Sequence, residues 1–147
     1  MKIGMCMFLW TTRIGPEHRS LLADIRATGF DGVEIPVFEG QEANFAATGQ
    51  MLDELGLERT AVTALGDPSH NLISADAAIR TAGIDRMKWA LDCAAALGAD
   101  RISGPLHSTL GHFSGAGPTP AELERSINSQ HQIAEHAAQC GVTVCLE

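Results

Sequence analysis

The sequence predicts an α/β fold, the first part of an eight-unit (β/α) TIM barrel, incomplete and forming one domain over residues 1–147. Five parallel strands should alternate with four helices. Three features carry this expectation. A junction in which a helical pattern ends in glycine and an apolar strand follows closely occurs four times, at Gly29, Gly56, Gly98 and Gly141. The strands are near-continuous apolar runs, as a parallel sheet covered on both faces requires. The segments after the third and fourth strands, 66–73 and 107–118, are long and rich in Gly, Pro, Ser and His, whereas helix-to-strand turns are very short. In (β/α) barrels the loops after strands build the functional face and the opposite face serves stability. An open doubly wound sheet is the competing arrangement, but no strand is followed by the glycine-rich phosphate turn that accompanies nucleotide binding there.

The first strand covers residues 3–9, and Pro16-Glu17 opens a helix with Leu21, Leu22 and Ile25 on its apolar stripe. Glycine after a helix takes the left-handed conformation without a Cβ clash, so at Gly29 the chain turns back at once into a strand. The second strand is 33–38, the second helix carries Phe45, Met51, Leu52 and Leu55, and the third strand is 61–65. The third helix should start at Ser74 as N-cap, with Asp76 in its first turn, and continue past a break at Gly83 through Ile84, Met87, Leu91 and Ala94. After a fourth strand at 102–106, Thr119-Pro120-Ala121-Glu122 reads as a capping box with proline at the first helical position. Leu123, Ile127, Ala134 and Ala138 are the expected buried face of that fourth helix. The fifth strand is 142–146. A complete barrel takes roughly 250 residues, so the chain is expected to be a fragment ending at its fifth strand.

Hydrophobic residues at 45% and charged residues at 19% suit a folded unit with an ordinary core rather than a disordered chain. No apolar run approaches the ~18 residues of a membrane span, and MKIGMCMFLW runs into polar residues without a small-residue cleavage site. A cytoplasmic location with no membrane partner is expected. The net charge of −8, with scattered Lys and Arg, disfavours a nucleic-acid partner. Cys6, Cys93, Cys140 and Cys145 lack C-x-x-C spacing and lie in apolar stretches, so they read as buried structural thiols rather than metal or redox groups. His131 and His136, five apart on a helix, do not share a face and form no helical metal pair. Glu34 on the second strand reads as a structural carboxylate engaged by a neighbour. His70 and His112 read as lid or surface residues.

Five segments then stand out in order: KIGMCMFLWT, GFDGVEIP, ALGDPSHNLISAD followed by R-x-A-G, ISGPLHSTLGHFSG, and AEHAAQCGVTVCLE. Together they resemble the sugar phosphate isomerase/epimerase family, within it the D-tagatose and D-psicose 3-epimerase branch of the xylose isomerase-like barrels. The resemblance covers essentially the whole chain. It implies an isomerase acting on a small-molecule sugar or sugar derivative, a ketose 3-epimerase working through an enediolate, in a homo-oligomer. It also implies a divalent metal ion, manganese first with magnesium or cobalt as alternatives, held at strand ends by Glu, Asp, His and Glu in chain order. The first of these corresponds to Glu147, and the other three fall outside this sequence. By the same resemblance Glu147 is catalytic, moving a proton on or off C3. Such chemistry needs help, because a proton beside a ketose carbonyl is too weakly acidic for an unaided carboxylate. A carboxylate on each face permits removal on one side and return on the other.

The resemblance further places Cys6, Phe8 and Trp10, near the top of the first strand, against the sugar; packing in the barrel core is the alternative. Gly66 either lets backbone approach the ligand or serves a simple turn. His107 is expected to hydrogen-bond a sugar hydroxyl, in place of an aromatic residue usual nearby in such epimerases. Other reactions that begin beside a carbonyl stay open, namely inosose dehydration, hydroxypyruvate isomerisation and epimerisation of an oxidised glycoside. An endonuclease on the same barrel is disfavoured by the acidic charge and by the lack of histidine at the first two strand ends. The non-enzymatic reading is an inactive half-barrel that pairs with another chain through its sheet edges.

Overall fold

The computed structural model describes residues 1–111 and 115–147. Its elements are β1 (Gly4–Cys6), α1 (Arg19–Ala27), β2 (Gly32–Pro36), α2 (Glu42–Leu55), β3 (Glu58–Val62), α3 (Ala77–Leu97), β4 (Arg101–Gly104), α4 (Pro120–Cys140) and β5 (Thr143–Leu146). Single 3-10 turns occupy Met7–Leu9, Pro16–His18 and Pro68–His70. All strand pairs are parallel, in the order β1-β2-β3-β4-β5. Sequential order with no reversal about β1 is that of a barrel and excludes a doubly wound sheet. Among the described residues, five strands and four α-helices thus form a partial TIM barrel. Among the described residues no helix is long and apolar enough to cross a membrane.

The four glycine junctions behave as the sequence predicts, with φ of +105° at Gly29, +66° at Gly56, +78° at Gly98 and +68° at Gly141. The residue after each bonds back into the helix, as in Leu57 N to Leu52 O, Ala99 N to Ala94 O and Val142 N to Ala137 O, each 3.0 Å. Those bonds satisfy carbonyls that the helix end leaves open. The core lies between the sheet and the helices: Val33, Ile35, Ala61 and Ile102 from the strands meet Leu22, Ile25, Leu52, Met87, Leu91 and Ile133 from the helices. Burying each large side chain contributes about 1.5–3 kcal/mol.

The paired strands are shorter than the apolar runs. Met7, Val37, Leu65 and Leu106 lie one to three residues beyond the strand ends and are buried, which explains why hydrophobicity continues past the ladder. In contrast β3 begins early, at Glu58, where the backbone ladder with Gly32 of β2 starts; ion pairs of Glu58 with Lys2 and of Arg59 with Asp53 lie alongside.

Two helices depart from expectation. Gly83 does not break α3, which runs without interruption; the glycine is buried where the helix meets the His70 carbonyl, and an added Cβ would collide with that oxygen. The N-cap of α3 is Asp76, whose Oδ1 accepts from Ala78 N at 2.8 Å, while Ser74 Oγ accepts from Asp76 N at 3.1 Å. In α4 the capping box forms: Thr119 Oγ1 accepts from Glu122 N at 3.3 Å and Glu122 Oε2 accepts from Thr119 N at 2.7 Å. Its buried face, however, is Ser129, Ile133 and Ala137, with Leu123, Ile127, Ala134 and Ala138 exposed. Polar groups decide the rotation. Ser129 Oγ donates to Leu72 O at 3.0 Å, Gln130 Nε2 to Leu106 O at 2.7 Å and Arg125 to Ile73 O at 3.2 Å, satisfying loop carbonyls beneath the helix.

Candidate active site

In a parallel sheet every strand ends on the same side, so Cys6, Gly66, His107 and Glu147 all lie at the C-terminal end of the sheet. Register fixes which side chains share a face. Cys6 pairs with Glu34 and Glu34 with Thr60, while Val62 pairs with Ser103 and Ser103 with Cys145. Since Val33, Ile35 and Ile102 are buried under the helices, alternation turns these rows toward the opposite, inner face. Glu147, two residues beyond Cys145, belongs to the same face. Its backbone amide donates to Gly104 O at 3.0 Å, which ties it to the end of β4. The residue is exposed, and its carboxylate has no hydrogen bond or ion pair among the described residues.

Cys6 is half-buried and lines a cavity of ≈ 280 Å³ with Glu34 and Thr60, whose other walls are residues at the starts of β1, β2 and β3 such as Lys2, Asp31 and Glu58. Burial, then a hydrogen bond to the Glu34 carboxylate, pushes its thiol above the ordinary range and keeps it neutral. Ser103 Oγ donates to Glu34 Oε1 at 3.0 Å, from β4 to β2 across the intervening β3, a reach that inward curvature of the sheet allows. Glu34 is thus engaged by two neighbours.

Phe8 and Trp10 are not on the first strand, which ends at Cys6. Met7 plugs into the core, fully buried, and turns the chain into a 3-10 turn that puts Phe8 and Trp10 above the strand end. Phe8 stacks on Phe38 with centroids 4.9 Å apart, and both Phe8 and Trp10 remain about half exposed, at 50% and 51%. Gly66 has no left-handed φ, and an added Cβ would meet nothing within 4 Å, so no turn requires glycine there.

His107 stands apart from these groups. Its Nδ1 lies 2.7 Å from Ser108 Oγ, and it lines a cleft of ≈ 1050 Å³ with Asn71, Ser74 and Arg125, a cleft that includes none of Cys6, Phe8, Trp10, Gly66 or Glu147. His70 is half-buried, with its carbonyl packed on Gly83. His112 lies outside the described residues.

The four cysteines are free thiols. Cys93 is buried, and burial raises its pKa to about 12. Cys145 is exposed on the inner face, contrary to the buried role expected for it. A grouping the sequence did not suggest is that of Asp92, His136 and Cys140, which meet between α3 and α4. His131 is exposed and takes no part.

The family model described as xylose isomerase-like TIM barrel matches residues 22–147. A ketose 3-epimerase of Arthrobacter globiformis is 30% identical over 148 residues, covering 100% of this chain and 50% of the relative. An L-ribulose 3-epimerase of Methylomonas sp. (strain DH-1) is 29% identical over 132 residues, covering 88% of this chain and 44% of the relative. A solved structure of L-ribulose 3-epimerase superposes with a TM-score of 0.88 at 25% identity, over 99% of this chain and 49% of that one. The chain spans about half the length of the curated relatives it matches. With sequential parallel strands and a family match over residues 22–147, the chain belongs to the xylose isomerase-like TIM barrel family.

Proposed function

We propose that this chain is the N-terminal part of a single barrel domain in a metal-dependent ketose 3-epimerase, with Glu147 both a ligand of a divalent cation and one of the carboxylates that move the C3 proton. The observation that carries this reading is the position of Glu147: an exposed carboxylate, unengaged among the described residues, at the C-terminal end of β5 and on the inner face. Relatives named ketose 3-epimerase and L-ribulose 3-epimerase support the reaction class.

A free carboxylate is a hard oxygen donor of the kind such cations take, and the family resemblance puts manganese first, with magnesium or cobalt as alternatives. A cation bound there would stabilise negative charge on the ketose oxygens as the proton leaves C3. Glu147 then accepts that proton on one face of the sugar, and the resulting enediolate is reprotonated by an acid on the other face. The hydrogen bond from its amide to Gly104 O holds the residue's backbone in place while its side chain works. Phe8 and Trp10 offer exposed aromatic faces to the C–H side of the sugar, and the neutral Cys6 thiol limits the depth of the site. Gly66 leaves room for the ligand beside the backbone. His107 takes a sugar hydroxyl through its second ring nitrogen, Nε2, while Nδ1 keeps its contact with Ser108. The same reading makes the working protein a cytoplasmic homo-oligomer.

The test is to incubate the product of the native reading frame with manganese and ketoses in heavy water, and to follow C3 by NMR. Formation of the C3 epimer with deuterium at C3 is the expected outcome; the 147-residue chain alone should give no inversion. A folded product that yields neither epimer nor deuterium with any ketose would rule the reading out.

A further inference from the structure

On the outer layer, between α3 and α4, three different donor groups converge. His136 and Cys140 are four residues apart on α4 and share a face, and Asp92 on α3 lies opposite them. His136 Nε2 is 2.7 Å from Asp92 Oδ1, and Cys140 Sγ donates to the same oxygen at 3.4 Å. The donor atoms of all three lie within 4.8 Å of one another, and each residue is half-buried. Among the described residues no other three such side chains gather in this way. We propose that Asp92, His136 and Cys140 bind a zinc ion, with water completing a four-coordinate shell.

The donor chemistry selects the metal. One imidazole nitrogen, one thiolate sulfur and one carboxylate oxygen suit the tetrahedral preference of zinc, whereas a thiolate is a poor partner for magnesium or manganese. As the side chains stand, a single carboxylate oxygen faces both the imidazole and the thiol. Zinc replaces the protons held between them: the thiol proton is released to solvent, the imidazole carries its hydrogen on Nδ1, and lone pairs on Sγ, Nε2 and Oδ1 bind the ion. Half-burial keeps the site reachable from solvent.

Position separates this site from the one at Glu147. Cys140 is the last residue of α4, directly before Gly141 and the start of β5, so the group sits toward the end of the barrel where strands begin. Glu147 lies past the other end of β5. At the strand-start end of a barrel a bound ion stitches neighbouring helices and acts on stability. The site does not depend on the epimerase reading.

To test it, the chelator-stripped product of the native reading frame is titrated with Zn²⁺ alone and with Co²⁺ alone. A thiolate-to-cobalt charge-transfer band is expected, along with a rise in thermal midpoint on adding zinc. Cys140→Ser should abolish the band, and His136→Gln should weaken zinc binding by more than the ~10–100-fold that loss of a merely supporting residue costs. Glu147→Gln should leave the band intact. Zinc should also protect Cys140 of the unaltered protein from alkylation, read by peptide mass spectrometry, which needs no variant to fold. Absence of the band, its persistence in Cys140→Ser, or unprotected Cys140 under saturating zinc would each overturn the proposal.

Discussion

The backbone amide of Glu147 donates to the carbonyl of Gly104 at 3.0 Å, so the residue past the end of β5 is positioned by the glycine that ends β4. That glycine also accepts from Leu106 N at 2.9 Å and has a φ of +142°. One residue therefore shapes both the β4 loop and the place of the candidate catalytic carboxylate.

Gly104→Ala should be strongly destabilising. A Cβ there would overlap the Thr63 carbonyl oxygen, and the backbone conformation is one that L-residues rarely adopt. Strain of this kind costs on the order of 1–3 kcal/mol before any clash is counted. Urea denaturation should show a loss of at least about 2 kcal/mol; a change near zero would mean that the strand end relaxes freely.

Gly83→Ala tests the opposite sign from the one helix propensity gives. In an exposed helix interior the change would stabilise by about 1 kcal/mol. Here the new methyl group would press on the His70 carbonyl and the Leu72 side chain, so a net destabilisation is expected in thermal or chemical unfolding. Stabilisation would show that the α3 contact with the preceding loop is loose.

The α4 capping box should have a pH signature. The Thr119 amide and hydroxyl hold the Glu122 carboxyl below its usual range. A folded-state pKa below the unfolded one adds stability that is present above the unfolded value and lost as the pH falls through the folded value. Glu122→Gln should therefore reduce stability at neutral pH and have little effect at an acid pH below the folded-state value. Thr119→Ala should cost about 1 kcal/mol at neutral pH. An equal loss from Glu122→Gln at both pH values would contradict the charge-dependent cap.

Much of this was legible in the sequence because it is local. The glycine junctions at Gly29, Gly56, Gly98 and Gly141 encode both the helix stops and the direction of each return, and these together give parallel order. What escaped was decided by contacts between distant segments. The burial of Ser129 in preference to Leu123 depends on the carbonyl of Leu72, which lies far away in the chain. Gly83 looks like a helix breaker until the His70 carbonyl is seen against it. In the candidate site, strand-end position was readable for Glu147, whereas the pairing of His107 with Ser108, away from Phe8 and Trp10, follows from loop paths that periodicity does not encode. The spacing of His136 and Cys140 was visible, but Asp92 joins them only through the packing of α3 on α4.

The most direct test of the account is the C3 epimerisation rate of the native reading-frame product with manganese, measured for the unaltered protein and for Glu147→Gln. Loss of a cation ligand and a proton acceptor together should lower kcat by at least about 10²-fold, with circular dichroism unchanged because Glu147 is exposed and contributes only its backbone amide to the fold. A Glu147→Gln protein that turns over ketoses at the unaltered rate would contradict the assignment.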